Sequence, residues 1–414
     1  MTRANSSTWL LVPQPRLGMP GLVGLLAVAN TIVPLSLDMY TPAVPSMPSQ
    51  FGTTASLVNL TILGFFLFYA IGLLVFGPLS DKWGRKPVLV GGMAAYTVGS
   101  VLCALSFDIW MLIGSRVIES LGAGAVTAVS TALIKDCFAL GVRAKILSLQ
   151  QVIAVVGPVA APLLGGFIIR MLHWEATFWT LAVIGLACTI AALMLAESLP
   201  AERRNATGVL RSLTKLGVVA RDKGFTAFLL SVAMINVPFM GYVAAASYIY
   251  VDRFGLDEQM YGVFFASAAL VGALGPVVYL RLSKRIPPLR FTYLLMALAA
   301  VGGALMLAVG EAGPVAFCAT AIIVGFVEAS MRPYTTDILL RQHDREAGSA
   351  SSLINFTHTA LGCVGMWAVM LPWPGYVEGI AALTLGSMAV ALVILVPLSR
   401  SAAAPEGLGA TLQS

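Results

Sequence analysis

The sequence predicts an all-α integral membrane protein, with twelve transmembrane helices arranged as two six-helix, pseudo-symmetric bundles. Three observations carry this. Of 414 residues, 58% are hydrophobic and only 11% charged, less than half of the roughly 25% charge of a soluble domain. The chain divides into twelve apolar runs, each near the ~20 residues that span a bilayer. The basic residues then fall almost wholly on one side of those runs. This composition excludes a soluble enzyme, a nucleic-acid binder and a disordered scaffold, and makes the lipid bilayer the main partner.

Cutting at Pro, Gly and charge clusters places the first six spans at 20–43, 57–78, 88–106, 109–134, 146–169 and 176–196. The second six are 225–248, 260–280, 291–310, 314–337, 348–371 and 377–397. The expected domains are therefore a bundle over 1–196, a linker over 197–224, a bundle over 225–397 and a tail over 398–414. The runs are too long, and alternate too little, for outer-membrane strands. With both termini in the cytoplasm, 21 of the 25 Lys and Arg lie inside. Two lie outside (Arg170, Arg253) and two within spans (Arg116, Arg332). That asymmetry is the positive-inside rule, and it also explains the net charge of +6 without a phosphate-rich partner.

The start of the chain lacks the pattern of a cleavable signal. The five cysteines form no CxxC pair, so neither a disulfide framework nor a metal site is expected. The two halves echo each other. Asn30 and Val33-Pro34 in span 1 match Asn236 and Val237-Pro238 in span 7, and Gly77-Pro78 matches Gly275-Pro276. Proline frees backbone groups, which is tolerable where a helix bends around a cavity. Matched breaks in two six-helix halves point to a parallel repeat.

The loop between spans 2 and 3 reads Gly77-Pro78-Leu79-Ser80-Asp81-Lys82-Trp83-Gly84-Arg85-Lys86-Pro87. Its glycines allow a tight turn and close approach, and Asp81 can pair with Arg85 across one turn. The loop resembles the signature of the major facilitator superfamily. Span 5 carries Gly157-Pro158-Val159-Ala160-Ala161-Pro162-Leu163-Leu164-Gly165-Gly166, similar to the antiporter motif of its drug exporters. Span 1 ends Leu37-Asp38-Met39-Tyr40-Thr41-Pro42-Ala43-Val44-Pro45, which resembles the bicyclomycin/chloramphenicol-resistance (Bcr/CflA-type) drug:proton antiporters.

The resemblance implies a loop that latches the two halves during transport. Gly77, Asp81, Gly84, Arg85 and Asp136 would form that latch. Gly157, with Ala161 and Gly165, would make a small-residue face for a partner helix, expected to be span 8, and the Gly157-Pro158 step would bend the helix.

A charge at the bilayer centre costs about 2.5–3.5 kcal/mol on insertion scales, so each needs a reason. The candidates are Asp38, Arg116, Glu119, Glu328, Arg332 and His358. Asp38 and Arg116 fall at similar depth, so pairing between them is sterically plausible. Glu119 and Arg116 share a helical face, as do Glu328 and Arg332. Arg116 with Gly122 and Gly124 is similar to the family's R-x-x-x-x-x-G-x-G, which implies proton coupling by Asp38, Arg116 and Glu119. Glu328 and Arg332 depart from the family pattern. They would tune substrate choice or form a private structural pair.

The substrate-binding candidates are Asp38, Tyr40, Tyr242, Glu328, Arg332 and His358, with the two tyrosines near matched kinks. The expected activity is proton-coupled efflux of small amphipathic drugs by alternating access, from a monomer without a cofactor. The alternative is a same-fold transporter of a metabolite such as a sugar, amino acid or siderophore. A membrane enzyme would need clustered metal-binding side chains at an interface, and the sequence offers none.

Overall fold

The computed structural model describes residues 10–204, 217–282, 285–342, 347–401 and 405. Residues 205–216 of the linker lie outside them, as does most of the tail. Every predicted span corresponds to helix. In the first half these are α1 (Gly18–Asp38), α2 (Ala55–Trp83), α3 (Arg85–Ala104), α4 (Ile109–Cys137), α5 (Leu140–Met171) and α6 (Glu175–Met194). In the second they are α7 (Lys223–Arg253), α8 (Glu258–Tyr279), α9 (Pro288–Val309), α10 (Pro314–Gln342), α11 (Ala347–Ala368) and α12 (Tyr376–Ser399). Among the described residues, ten helices are long and apolar enough to cross a membrane, and α5 contributes a shorter apolar stretch, Val156–Met171.

Local chemistry explains the ends. Aspartates open three helices by accepting backbone N–H groups. Asp108 takes Met111 N at 2.8 Å, Asp222 takes Gly224 N at 2.9 Å, and Asp257 takes Met260 N at 2.7 Å. Two proline expectations need correction. Helix α2 does not close at Gly77-Pro78 but runs through Pro78 to Trp83. A proline inside a helix removes only one donor, and five more residues follow before the left-handed Gly84. Likewise α1 runs unbroken through Pro34, whereas its counterpart α7 is interrupted at Met234, just before Asn236, and ends in a π-helical turn, Tyr248–Arg253.

The chain forms two compact units, one running to Arg211 and one from Ser212, with 44–46 and 54–59 grouped with the second. Each has its own packing map, and the maps agree. In the first unit α3 packs on α4 and α6, while α1 packs on α5 and α6. In the second α9 packs on α10 and α12, while α7 packs on α11 and α12. This equivalence realises in three dimensions the repeat read from the prolines. The outer helix faces are greasy, as lipid demands. On α6, Val183, Leu186 and Ile190 form one exposed stripe.

Candidate functional site

One ion pair is wholly enclosed inside the first unit. Arg116 and Glu119, one turn apart on α4, pair at 2.8 Å with both side chains wholly enclosed. Glu119 also accepts hydrogen bonds from Ser100 Oγ at 3.1 Å and Cys103 Sγ at 3.7 Å. The remaining N–H groups of Arg116, at Nε and Nη2, have no hydrogen-bond partner among the described residues. Aromatic rings enclose them instead. The guanidinium carbon lies 4.4 Å from the Phe65 ring centre, 4.6 Å from Tyr40 and 5.5 Å from Phe178. Each ring face attracts a cation, and more strongly once water is excluded. The Tyr40 hydroxyl is anchored by Thr61 at 2.8 Å.

Glycines bring this cage together. A Cβ on Gly99 of α3 would strike the backbone of Glu119, and one on Gly122 would strike Tyr96. Gly124 meets Tyr69 O and Gly72 of α2 in the same way. The Gly-x-Gly after Arg116 therefore lets α4 sink between α2 and α3 until the arginine sits under the rings.

Asp38 is not the partner of Arg116, contrary to the pairing its depth suggested. It ends α1 and is 7% exposed, and no described residue forms an ion pair or hydrogen bond with its carboxylate. Glu119 and the three rings already surround Arg116, and the turn after α1 presents Tyr40 to it instead.

A second charged cluster surrounds the α2–α3 turn. Gly84 takes φ +104°, a conformation that disfavours any side chain. Arg85 then contacts Asp81 at 2.6 Å, Asp136 Oδ2 at 2.9 Å and Ser80 Oγ at 2.6 Å. Glu197, beyond α6, accepts from the backbone N–H of Arg85 at 2.9 Å and of Lys86 at 3.2 Å. A carboxylate there neutralises unsatisfied donors and the positive end of α3. Sequence reasoning placed Glu197 in a linker and missed this role. The only available hint was an acid immediately after a span. Gly77, assigned to the turn, instead lies inside α2, where a Cβ would meet nothing within 4 Å.

The small-residue face of α5 packs on α1. A Cβ on Gly157 would lie 2.7 Å from Pro34 Cγ, and one on Gly165 would overlap the Met39 carbonyl. Pro158, beside Gly157, is inside the helix. Asn30 donates from α1 to Gln150 O on α5 at 2.8 Å. The second unit repeats the device. Asn236 on α7 donates to His358 O on α11, and Gly365 abuts the Val237 carbonyl. Gly157 and Gly165 thus serve a seam with α1 within their own half.

The remaining candidates lie in the second unit. Tyr242 is buried, stacked on Phe265 at 5.7 Å and tilted against Phe317 at 6.0 Å. Glu328 and Arg332 are 3.8 Å apart on α10, with side chains 8% and 50% exposed. His358 is buried on α11, and neither ring nitrogen has a hydrogen-bond partner among the described residues.

The site thus consists of charges and rings embedded in membrane-length helices. No group of three metal-binding side chains occurs among the described residues, and all five cysteines are free.

Comparison with known proteins agrees with this geometry. The Major Facilitator Superfamily model matches residues 26–366. A chloramphenicol resistance protein of Pseudomonas aeruginosa is 29% identical over 395 residues, covering 91% of this chain and 92% of its own. The uncharacterized MFS-type transporter YdgK of Bacillus subtilis (strain 168) is 29% identical over 354 residues, 84% of this chain and 87% of its own. The multidrug resistance protein MdtL of Shigella dysenteriae is 32% identical over a shorter 171 residues, 41% of this chain and 44% of its own. Among solved structures, a D-xylose–proton symporter superposes with TM-score 0.71 at 15% identity, covering 94% of this chain and 99% of its own. Peptide transporter POT does so with TM-score 0.73 at 16% identity, covering 95% and 98%. These two establish the fold alone. With a family model covering most of its length and the matching arrangement of helices, the chain is a multi-pass membrane transporter, not an enzyme, and belongs to the Major Facilitator Superfamily.

Proposed function

We propose that the protein exports small amphipathic molecules, phenicol-like antibiotics among them, in exchange for protons. Transport proceeds by alternating access across a bacterial cytoplasmic membrane, with both termini inside and the monomer as the working unit. The observation that carries this reading is Asp38, a buried carboxylate that no described residue neutralises. The names of the chloramphenicol-resistance and multidrug-resistance relatives support the substrate class.

An unpaired carboxylate within a membrane helix is costly as an anion, so taking up a proton relieves it. In this mechanism a proton entering from outside neutralises Asp38 and displaces the substrate, and release of the proton inside resets the carrier. Arg116 and Glu119 set the field beside this step. Glu119 is a weaker candidate for a mobile proton because Arg116, Ser100 and Cys103 already hold it. One charge crossing about 100 mV supplies roughly 2.3 kcal/mol, enough for a gradient of nearly fifty-fold. Asp38, Tyr40, Tyr242, Glu328, Arg332 and His358 contribute to substrate recognition. The α2–α3 turn with Asp81, Gly84, Arg85 and Asp136, together with Gly77 and the Gly157-Pro158 to Gly165 seam, governs the change of state. Residues 1–196 and 225–397 act as its two moving bodies, joined by 197–224 and followed by the tail, 398–414.

The test is Asp38→Asn in everted vesicles. The variant is expected to insert and fold like the parent but to lose chloramphenicol-dependent proton movement. Parent-like proton exchange in the variant would make Asp38 structural and overturn the coupling assignment.

A further inference from the structure

The ion pair on α10 is built differently from that on α4. Glu328 and Arg332 stand 3.8 Å apart, beyond hydrogen-bond distance, whereas Arg116 and Glu119 close to 2.8 Å. The burial is lopsided: Glu328 is 8% exposed at its side chain and Arg332 50%. Glu328 Oε1 is enclosed without a hydrogen-bond partner among the described residues, and so are both ring nitrogens of His358 on the adjoining α11. Arg332 is the charged neighbour common to both groups. Buried polar atoms are nearly always hydrogen-bonded in folded proteins. Three orphaned atoms around one loosely held arginine therefore mark a place made for something else.

We propose that Glu328 and His358 form a subsite for an organic cation, whose positive group takes the place of Arg332 beside the carboxylate. This rests on the efflux reading above and names a substrate class for it. Lopsided burial sets the sign. Arg332 is long and half exposed, so its guanidinium can swing away on its aliphatic stem. Glu328 cannot leave, and a buried carboxylate without a counter-charge is unfavourable. A cation restores the balance. An anion docking on Arg332 would instead be repelled by the fixed carboxylate one turn away. His358 supplies one donor and one acceptor, which suits amine, hydroxyl or carbonyl groups on the same ligand.

The probes are ethidium, a permanently charged aromatic cation, and neutral chloramphenicol, measured with the full-length protein as binding in detergent and efflux from vesicles. Glu328→Gln is expected to lower the ethidium-to-chloramphenicol affinity ratio by at least about tenfold, since it removes the buried partner of a charge pair. Arg332→Ala is expected to tighten ethidium binding, because it removes the competitor for Glu328; unchanged binding would count against the displacement. A structural ion pair predicts the opposite for Arg332→Ala, with loss in both variants, and that result would overturn the proposal. Should Glu328→Gln fail to fold, carbodiimide labelling of Glu328 in the parent decides the matter. Ethidium must protect it and chloramphenicol must protect it less; equal protection, or none, refutes the subsite. A parent that exports chloramphenicol but neither binds nor exports ethidium would sink the cation subsite and leave the efflux reading standing. Export of neither probe would sink the efflux reading itself.

Discussion

Arg116 shows how a single buried charge is sustained. Its counter-ion is three residues away, its faces are covered by rings, and the pair loses all contact with water. Breaking such a pair costs far more than removing it whole, because the survivor is left charged and dry. Glu119→Gln is expected to destabilise the protein by about 3–5 kcal/mol, and the double change Arg116→Met with Glu119→Met by clearly less. Thermal unfolding in detergent measures both.

The pairing was only half legible. Spacing put Glu119 and Arg116 on one face, but the rings come from the turn after α1, from α2 and from α6, and no local pattern reports which segments converge. The same holds for Glu197, which is 112 positions from Arg85 in sequence but 2.9 Å from its backbone N–H. Gly84 is the counterpart that sequence did reveal, because its positive φ is a local requirement. Gly84→Ala forces a side chain into that conformation, at about 1–2 kcal/mol, and drives a methyl against the Glu197 carboxylate. Turnover is expected to fall more than ligand affinity, which equilibrium binding measured beside vesicle efflux will show.

Among elements, helix boundaries were readable because apolar length, caps and charge clusters all act locally. Packing partners were not. The α5 motif announced that something approaches closely, yet only the structure identifies it as α1. The three glycines tested by a methyl group differ in what they face. Gly165→Ala meets a backbone carbonyl, which cannot turn aside, and is expected to be the most damaging. Gly157→Ala meets the edge of the Pro34 ring and is expected to cost about 1–3 kcal/mol, the usual range for overpacking. Gly77→Ala meets open space and gains helix propensity of about 0.5–1 kcal/mol. Expression level and melting temperature should rank them in that order, and a Gly77→Ala protein less stable than Gly165→Ala would contradict the assignment.

For the molecule as a whole, composition and charge asymmetry were enough to read twelve helices and two halves, since the bilayer imposes both. The equivalence of the two packing maps needed coordinates, because the prolines and asparagines that hint at it are not in matching register. The second unit has a core of its own residues, in which Phe225, Phe228, Met331 and Leu395 are buried together. The chain cut between Arg211 and Ser212 and expressed as two pieces is therefore expected to reassemble and restore a substantial share of chloramphenicol efflux. Either piece alone should give none. Complete loss on co-expression, with both pieces inserted, would show that the covalent link is required.

The ring cage has an optical consequence. Phe178, which covers Arg116, is itself met edge-on by Trp174 at 5.9 Å, and that indole is only 5% exposed. Trp83, Trp110, Trp179 and Trp367 are all about half exposed or more. The emission of Trp174 should therefore be blue-shifted and protected from aqueous quenchers, and it should respond when charge or ligand rearranges beside Tyr40 and Asp38. Protonation of Asp38 would then be visible in a cuvette without any label, as a spectral change that Trp174→Phe abolishes.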